Sequence, residues 1–169
     1  MDGQPFRAER YEIGTSLAGA RVSLEPIRTS TATALALGMT AIDPWARLGT
    51  DPAALTAYLT GEDPHCCRKV ICVDGADAGI VAVRSPWLHG PYLTLLAVLP
   101  PHQSVGLGAR VIEWMAAETG RSARNMWVCT SSFNDGAQAF YRRHGFERVG
   151  DLDDLVGPGF TEIFLRKKL

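Results

Sequence analysis

The chain has 169 residues and a mass of 18.3 kDa, enough for one domain that buries about 70% of the surface its unfolded form exposes. Its 17 basic and 18 acidic side chains nearly cancel, so no broad polyanion-binding face is advertised and nucleic acid is not expected as a partner. No apolar run approaches the ~20 residues of a membrane span, and Asp2, Arg7, Glu9 and Arg10 interrupt the start of the chain where a signal peptide would be apolar, so the expectation is a cytoplasmic protein without membrane contact.

Residues 1–19 show no periodicity and read as a lead-in, either flexible or extending along a sheet edge; a single domain is expected over residues 20–169. Residues 20–27 alternate as a first strand. Residues 29–40, rich in Ala and Leu, form a helix that Thr29 or Ser30 can cap, and residues 52–59 form a second, with Asp51 as cap and Pro52 at its first position. Strands over 68–73 and 78–84 are joined by the turn Asp74-Gly75-Ala76-Asp77. The cysteines Cys66, Cys67, Cys72 and Cys129 show no CxxC spacing, so no metal site is expected and all four read as free, small apolar residues.

The stretch over residues 93–118 carries the most information. Residues 93–99 are apolar except for Thr94 and end at Pro100 and Pro101, which cannot continue a ladder; this suits a central strand buried on both faces. A loop from Gln103 through Gly106 and Gly108 runs straight into a helix over 109–118, with Val111, Ile112, Met115 and Ala116 at helical spacing. First-turn amides of a helix lack internal partners and sit at the positive end of its dipole, so the segment can seat a diphosphate. Simple turn chemistry is the other reading of two loop glycines. There is no Gly-Lys-Ser/Thr, and Val111 stands where a dinucleotide fingerprint needs its third glycine. Residues 125–131 form another strand and 135–144 a helix, followed by two closing strands, of which 160–165 is placed after a loop over 151–159, for a mixed sheet flanked by helices.

Two patterns together resemble one family. Ala97-Val98-x-Pro100 followed by Gln103-x-x-Gly106-x-Gly108 is similar to the acetyl-CoA signature of the GNAT superfamily of N-acetyltransferases. Asn134-x-x-Ala137-x-Ala139-Phe140-Tyr141-x-x-x-Gly145-Phe146 resembles its later motif, especially in the RimI-like subgroup. The resemblance implies an α/β (α+β) fold with a central mixed, mostly antiparallel sheet whose fourth and fifth strands splay; residues 93–99 and 125–131 would be those two. It implies acetyl-CoA as cosubstrate, with the backbone of Leu96 and Val98 meeting the pantetheine arm. The amides of Val105, Gly106, Gly108 and Ala109 would hold the pyrophosphate, with Gln103 opening the loop and Ser104 adding a hydroxyl.

Tyr141 takes the position of a general acid, with an aromatic packed under the helix as the other reading. Asn134 can touch the cofactor arm or merely cap the helix. Cys129 stands where RimI-like enzymes carry a glutamate base, and it reads as packing rather than as a nucleophile. Ordered water, His89 or Glu25 remain for the base. Trp45, Arg47 and His89 are the acceptor-side candidates: Trp45 as a wall or a core residue, Arg47 as a carboxylate ligand or a solvated cation. The expected activity is acetyl transfer from acetyl-CoA to a primary amine of a small molecule or peptide in a ternary complex, with a non-catalytic acyl-CoA sensor as the alternative; a homodimer is compatible with either.

Overall fold

The computed structural model describes residues 5–120 and 123–169. Eight strands form one sheet: β1 (Tyr11–Thr15), β2 (Arg21–Pro26), β3 (Cys66–Val73), β4 (Ala76–Trp87), β5 (Gly90–Val98), β6 (Asn125–Ser131), β7 (Glu147–Asp153) and β8 (Thr161–Lys168). Their spatial order is β1-β2-β3-β4-β5-β6-β8-β7. Every neighbouring pair is antiparallel except β5 and β6, which run parallel. Helices α1 (Thr29–Thr40) and α2 (Pro52–Thr60) follow β2, α3 (Leu107–Thr119) follows β5, and α4 (Asp135–Arg143) follows β6.

Each face of the sheet has its own core. On one, Val111, Ile112 and Met115 of α3 and Tyr141 of α4 pack on Leu93, Val128 and Ile163. On the other, Leu35 and Met39 of α1 and Leu55 and Leu59 of α2 pack on Val70, Ile80 and Leu95. The crossover from β5 through α3 to the parallel β6 puts α3 on the first face, as a βαβ unit requires.

Several local features have clear causes. Asp51 accepts hydrogen bonds from the amides of Ala53 and Ala54, and Pro52 stands at the start of α2, as the sequence suggests. Neither Thr29 nor Ser30 caps α1, whose cap position is Arg28 without a side-chain bond. In the β3–β4 hairpin Asp74 and Gly75 both take positive φ, so the turn is two residues long and Ala76 already belongs to β4.

The first 19 residues are more than a lead-in where the structure describes them. β1 pairs with β2 at the sheet edge, Phe6 packs edge-on against Trp114 at 5.2 Å, and the buried Lys69 ammonium donates to the carbonyls of Ala8 and Glu9. The loop expected over 151–159 begins later, at Asp154, because residues 151–153 are the end of β7. That strand is hard to see in sequence: an edge strand exposed on both faces, it carries charges instead of apolar alternation.

β5 also departs from a strand evenly buried on both faces. Ala82 pairs with Leu95 but Val83 with Leu93, which leaves Thr94 as an extra residue, a β-bulge. The bulge reverses the alternation, so that Leu93 joins the α3-side core while Leu95 and Ala97 join the α1-side core. Leu96 and Val98 stay half-buried.

Candidate active site

β5 and β6 are paired only at Tyr92–Trp127 and Leu93–Val128. Beyond those residues the strands part, and a wedge opens between Thr94–Val98 and Cys129–Ser131. The expected splay is therefore present; an added N-terminal strand makes these the fifth and sixth strands here. The narrow end is tight: a Cβ on Gly90 would lie 1.8 Å from the Asn125 carbonyl oxygen. Where strands separate, their amides and carbonyls lose ladder partners and need others.

A cleft of about 700 Å³ fills the open end. Leu96, Val98, Gln103, Ser104, Gly106, Gly108, Ala109, Asn134 and Tyr141 all line it, as does Trp45 across the mouth. Gly106 is the cap position of α3, in left-handed conformation (φ 86°), and no side chain caps the helix. Its first-turn amides therefore face the cleft without a protein acceptor. Ser104 is also left-handed (φ 63°), and alternating the sign of φ across 104–106 turns successive amides toward one side, a concave anion nest. The site fits a diphosphate on these grounds.

Two loop residues act differently from expectation. The Gln103 side-chain amide donates to the Val98 carbonyl at 2.8 Å and braces the loop against the end of β5. Val105 does not line the cleft; its carbonyl accepts the Leu17 amide at 2.9 Å, tying the β1–β2 turn to the loop. Gly108 is required for packing: a Cβ there would come within 2.9 Å of the Phe140 ring, so its absence lets α3 start against α4.

Asn134 caps its helix and stands at the cleft. Its side-chain oxygen caps α4 by accepting the Ala137 amide at 3.0 Å, and the residue lines the cleft. Tyr141, one face of α4 further on, is 6% exposed. Among the described residues nothing hydrogen-bonds its hydroxyl, and burial raises its pKa well above that of a free phenol, so it stays a neutral donor at working pH.

On the acceptor side the candidates separate. Trp45 lies at the cleft, whereas Arg47 does not line it and stacks its guanidinium 4.2 Å above the Phe133 ring. His89 sits in the β4–β5 turn beside the narrow end of the wedge, with its carbonyl bonded to the Arg124 amide, away from the open end. Glu25, on β2 three strands from β5, pairs with Arg10. Neither is placed to serve as the base.

Cys129 borders the wedge, and its thiol pKa is raised, by burial first; the Tyr92 hydroxyl donates to it and partly opposes this, while the nearby Glu162 adds to it. Burial also pushes Cys67 up to about 11 and Cys72 to about 12, so the chain carries no activated thiolate among these three. Among the described residues no three His, Cys, Asp or Glu side chains are grouped to hold a metal ion.

In and around the cleft are residues that sequence reasoning missed. Leu17, 78% exposed, lies over Gly106, and Arg143 brings a cation to the rim. Phe133 and Phe160 meet edge to face at 6.0 Å beside the open end of β6. Glu162 of β8, paired in register with Ser131, is buried next to them. Phe140 already belongs to the motif, and an amphipathic reading of α4 could have flagged Arg143 beside it; Glu162 depends on strand register.

A family model described as the acetyltransferase (GNAT) domain matches residues 64–148. No curated protein sequence matches the chain. Among solved structures, an acetyltransferase from Thermus thermophilus is similar at 21% identity and a TM-score of 0.70, covering 94% of this chain and 100% of that one. A Salmonella typhimurium acetyl transferase that modifies the N-terminal serine of ribosomal protein L7/L12 has a TM-score of 0.74 at 15% identity, covering 95% and 99%. Mycobacterium smegmatis RimJ, solved in complex with CoA-disulfide, has a TM-score of 0.69 at 16% identity, covering 98% and 90%. At these identities the structural likeness speaks for the fold, and it does not single out the RimI-like subgroup.

Proposed function

The chain belongs to the GNAT acetyltransferase family, and from that premise we propose that it is an N-acetyltransferase, moving the acetyl group of acetyl-CoA to a primary amine by direct attack in a ternary complex. The observation that carries this reading is the parted β5–β6 pair opening onto the uncapped N-terminus of α3. The backbone of Leu96 and the Val98 amide would pair with the pantetheine arm, since they have no strand partner on the wedge side, while the Val98 carbonyl accepts from Gln103. The amides of Gly106, Gly108 and Ala109 would hold the pyrophosphate, with Arg143 supplying the cation. Ser104 adds a hydroxyl. Val105 contributes through its backbone, and Asn134 positions α4 at the wedge. Tyr141 would protonate the departing thiolate from the α4 side.

The acceptor would enter past Trp45, which lines the cleft, while Arg47 is held on the Phe133 ring. A peptide N-terminus is the first acceptor to test, because the Salmonella relative modifies one. A cytoplasmic setting and a homodimer through the exposed strand β7 complete the proposal.

Calorimetric titration with acetyl-CoA, followed by thiol release across peptides, amino acids and small amines, tests it. Micromolar binding with release for one acceptor class is the expected result; absence of acetyl-CoA binding overturns the reading. Gly106→Val serves as the local control. The left-handed φ disfavours a β-branched residue, and a Cβ would already stand 3.1 Å from the Leu17 side chain. Acetyl-CoA affinity should fall by about 10-fold or more, on the order of 1.4 kcal/mol.

A further inference from the structure

The wedge has two faces, and they carry different chemistry. Trp127 stacks on Phe164 at 4.9 Å, which puts Trp127, Cys129 and Ser131 of β6 on the same side of the sheet as Phe164 and Glu162 of β8. Met126 and Val128 point the other way, into the core beneath α3 and α4 that also holds Tyr141. Glu162 and Tyr141 therefore lie on opposite faces of the sheet, each beside the stretch where β6 parts from β5.

Glu162 is 6% exposed, and its carboxylate Oε1 accepts a hydrogen bond from the Ser131 hydroxyl at 2.5 Å. The neighbours that face it are Ser131 and Cys129 from β6, Tyr92 from β5, and Leu152, its partner in register on β7. Tyr58 of α2 stands behind Tyr92 and bonds Thr94, the bulged residue, at 2.8 Å. Among the described residues no Lys, Arg or His pairs with Glu162. A buried carboxylate with one hydroxyl partner and no counter-ion lowers stability. Cys129 and Tyr92 thus bring further polar groups near Glu162 at the point where β5 and β6 part.

We propose that Glu162 receives the proton of the acceptor amine, so that the carboxylate comes from β8 rather than from the Cys129 position of β6. This rests on the acetyltransferase reading above and deepens it. An alkylammonium acceptor gives one proton to the Glu162 carboxylate; the freed nitrogen lone pair forms the C–N bond to the thioester carbon as the C–S bond breaks. The thiolate takes the Tyr141 proton, and the second amine proton returns to Tyr141 through solvent. Glu162 then loses its proton to bulk water. Burial raises the Glu162 pKa, which suits a group that must hold a proton transiently, and the Ser131 bond opposes that rise. The negative charge also selects the acceptor: a cationic alkylamine is drawn in, and an arylamine, already neutral, needs no base.

The test is Glu162→Gln, an isosteric change that keeps the Ser131 contact. With an alkylamine or N-terminal peptide at pH 7, kcat/KM should drop about 10²–10³-fold while acetyl-CoA affinity stays within about twofold. The deficit should shrink as pH rises above the acceptor's own pKa, about 8 for a peptide N-terminus and about 10 for an alkylamine, and an arylamine acceptor should be nearly insensitive. Ser131→Ala should move the acidic limb of the wild-type pH profile to higher pH. Stability provides a second readout. A carboxylate whose folded pKa lies above its unfolded value favours folding at low pH and loses that contribution as pH rises through the folded pKa, so Glu162→Gln should melt higher than wild type at pH 8 and lose the advantage toward pH 4. Wild-type turnover with an unchanged pH profile in Glu162→Gln overturns this assignment alone, as does a loss equal at every pH. No thiol release from wild type with any amine overturns the acetyltransferase reading, and this one with it.

Discussion

Replacing Tyr141 by Phe is expected to lower kcat by about 10²–10⁴-fold with acetyl-CoA affinity and thermal stability essentially kept. The ring is part of the core, packed edge-on against Phe140 at 5.1 Å and Phe146 at 5.4 Å, and Phe preserves all of that. The hydroxyl has no hydrogen-bond partner among the described residues, so its removal breaks no bond within the protein. What is lost is the hydroxyl of a residue that lines the cleft, the donor proposed for the departing thiolate. A 10²-fold loss corresponds to about 2.7 kcal/mol of barrier. Because burial lifts the phenol far above its free value, the wild-type rate should show no alkaline fall from tyrosine ionisation up to pH 10. Single-turnover thiol release and a melting curve on the same preparation check the point. A variant that releases thiol within twofold of wild type removes Tyr141 from the chemistry and leaves it a core aromatic.

The contrast between Tyr141 and Glu162 shows what sequence alone can reveal. Tyr141 lies in a local pattern, one helix whose cap Asn134 and first turn are contiguous with it, so spacing suffices to place it at the cleft. The same holds for the strand, loop and helix start around Gln103 to Gly108, where every relevant contact spans a few residues. Glu162 belongs to a segment, Thr161-Glu162-Ile163-Phe164-Leu165, whose strand character is plain, but its role depends on pairing with a strand more than 30 residues earlier. A shift of that register by one residue would put Glu162 on the α3 side. The Thr94 bulge is hidden for the same reason: it exists only as a mismatch between β4 and β5. His89 was misplaced because nearness in sequence to β5 says nothing about which end of a parallel pair splays. Residues 11–15 were missed because Tyr11, Ile13 and Thr15 alternate with Glu12 and Gly14 over too short a span to stand out, and their burial relies on Trp114.

Gly90→Ala should destabilise the protein by about 3 kcal/mol, a fall in Tm of about 6–12 °C for a chain of this size. The cause is steric, not conformational. The φ of Gly90 is not in the left-handed region, yet a Cβ would stand 1.8 Å from the Asn125 carbonyl oxygen and 2.7 Å from its carbon. Both are backbone atoms, fixed by the register of β6 against β8 and by the neighbouring Arg124 amide to His89 carbonyl bond of 2.9 Å. Relief requires β5 and β6 to move apart at the one place where they are held together, next to the Tyr92–Trp127 and Leu93–Val128 pairs. The wedge would then widen from its apex, and acetyl-CoA affinity should fall along with stability. Gly75→Ala separates this from ordinary glycine effects: Gly75 has φ 85° and open space around it, so alanine there carries only backbone strain, about 1 kcal/mol, with acetyl-CoA binding intact. Melting curves and acetyl-CoA titrations of the two variants measure the difference. Equal Tm values for both would show that the apex of the wedge yields easily, and that the geometry at the open end is set by the α3 loop rather than by the contact between β5 and β6.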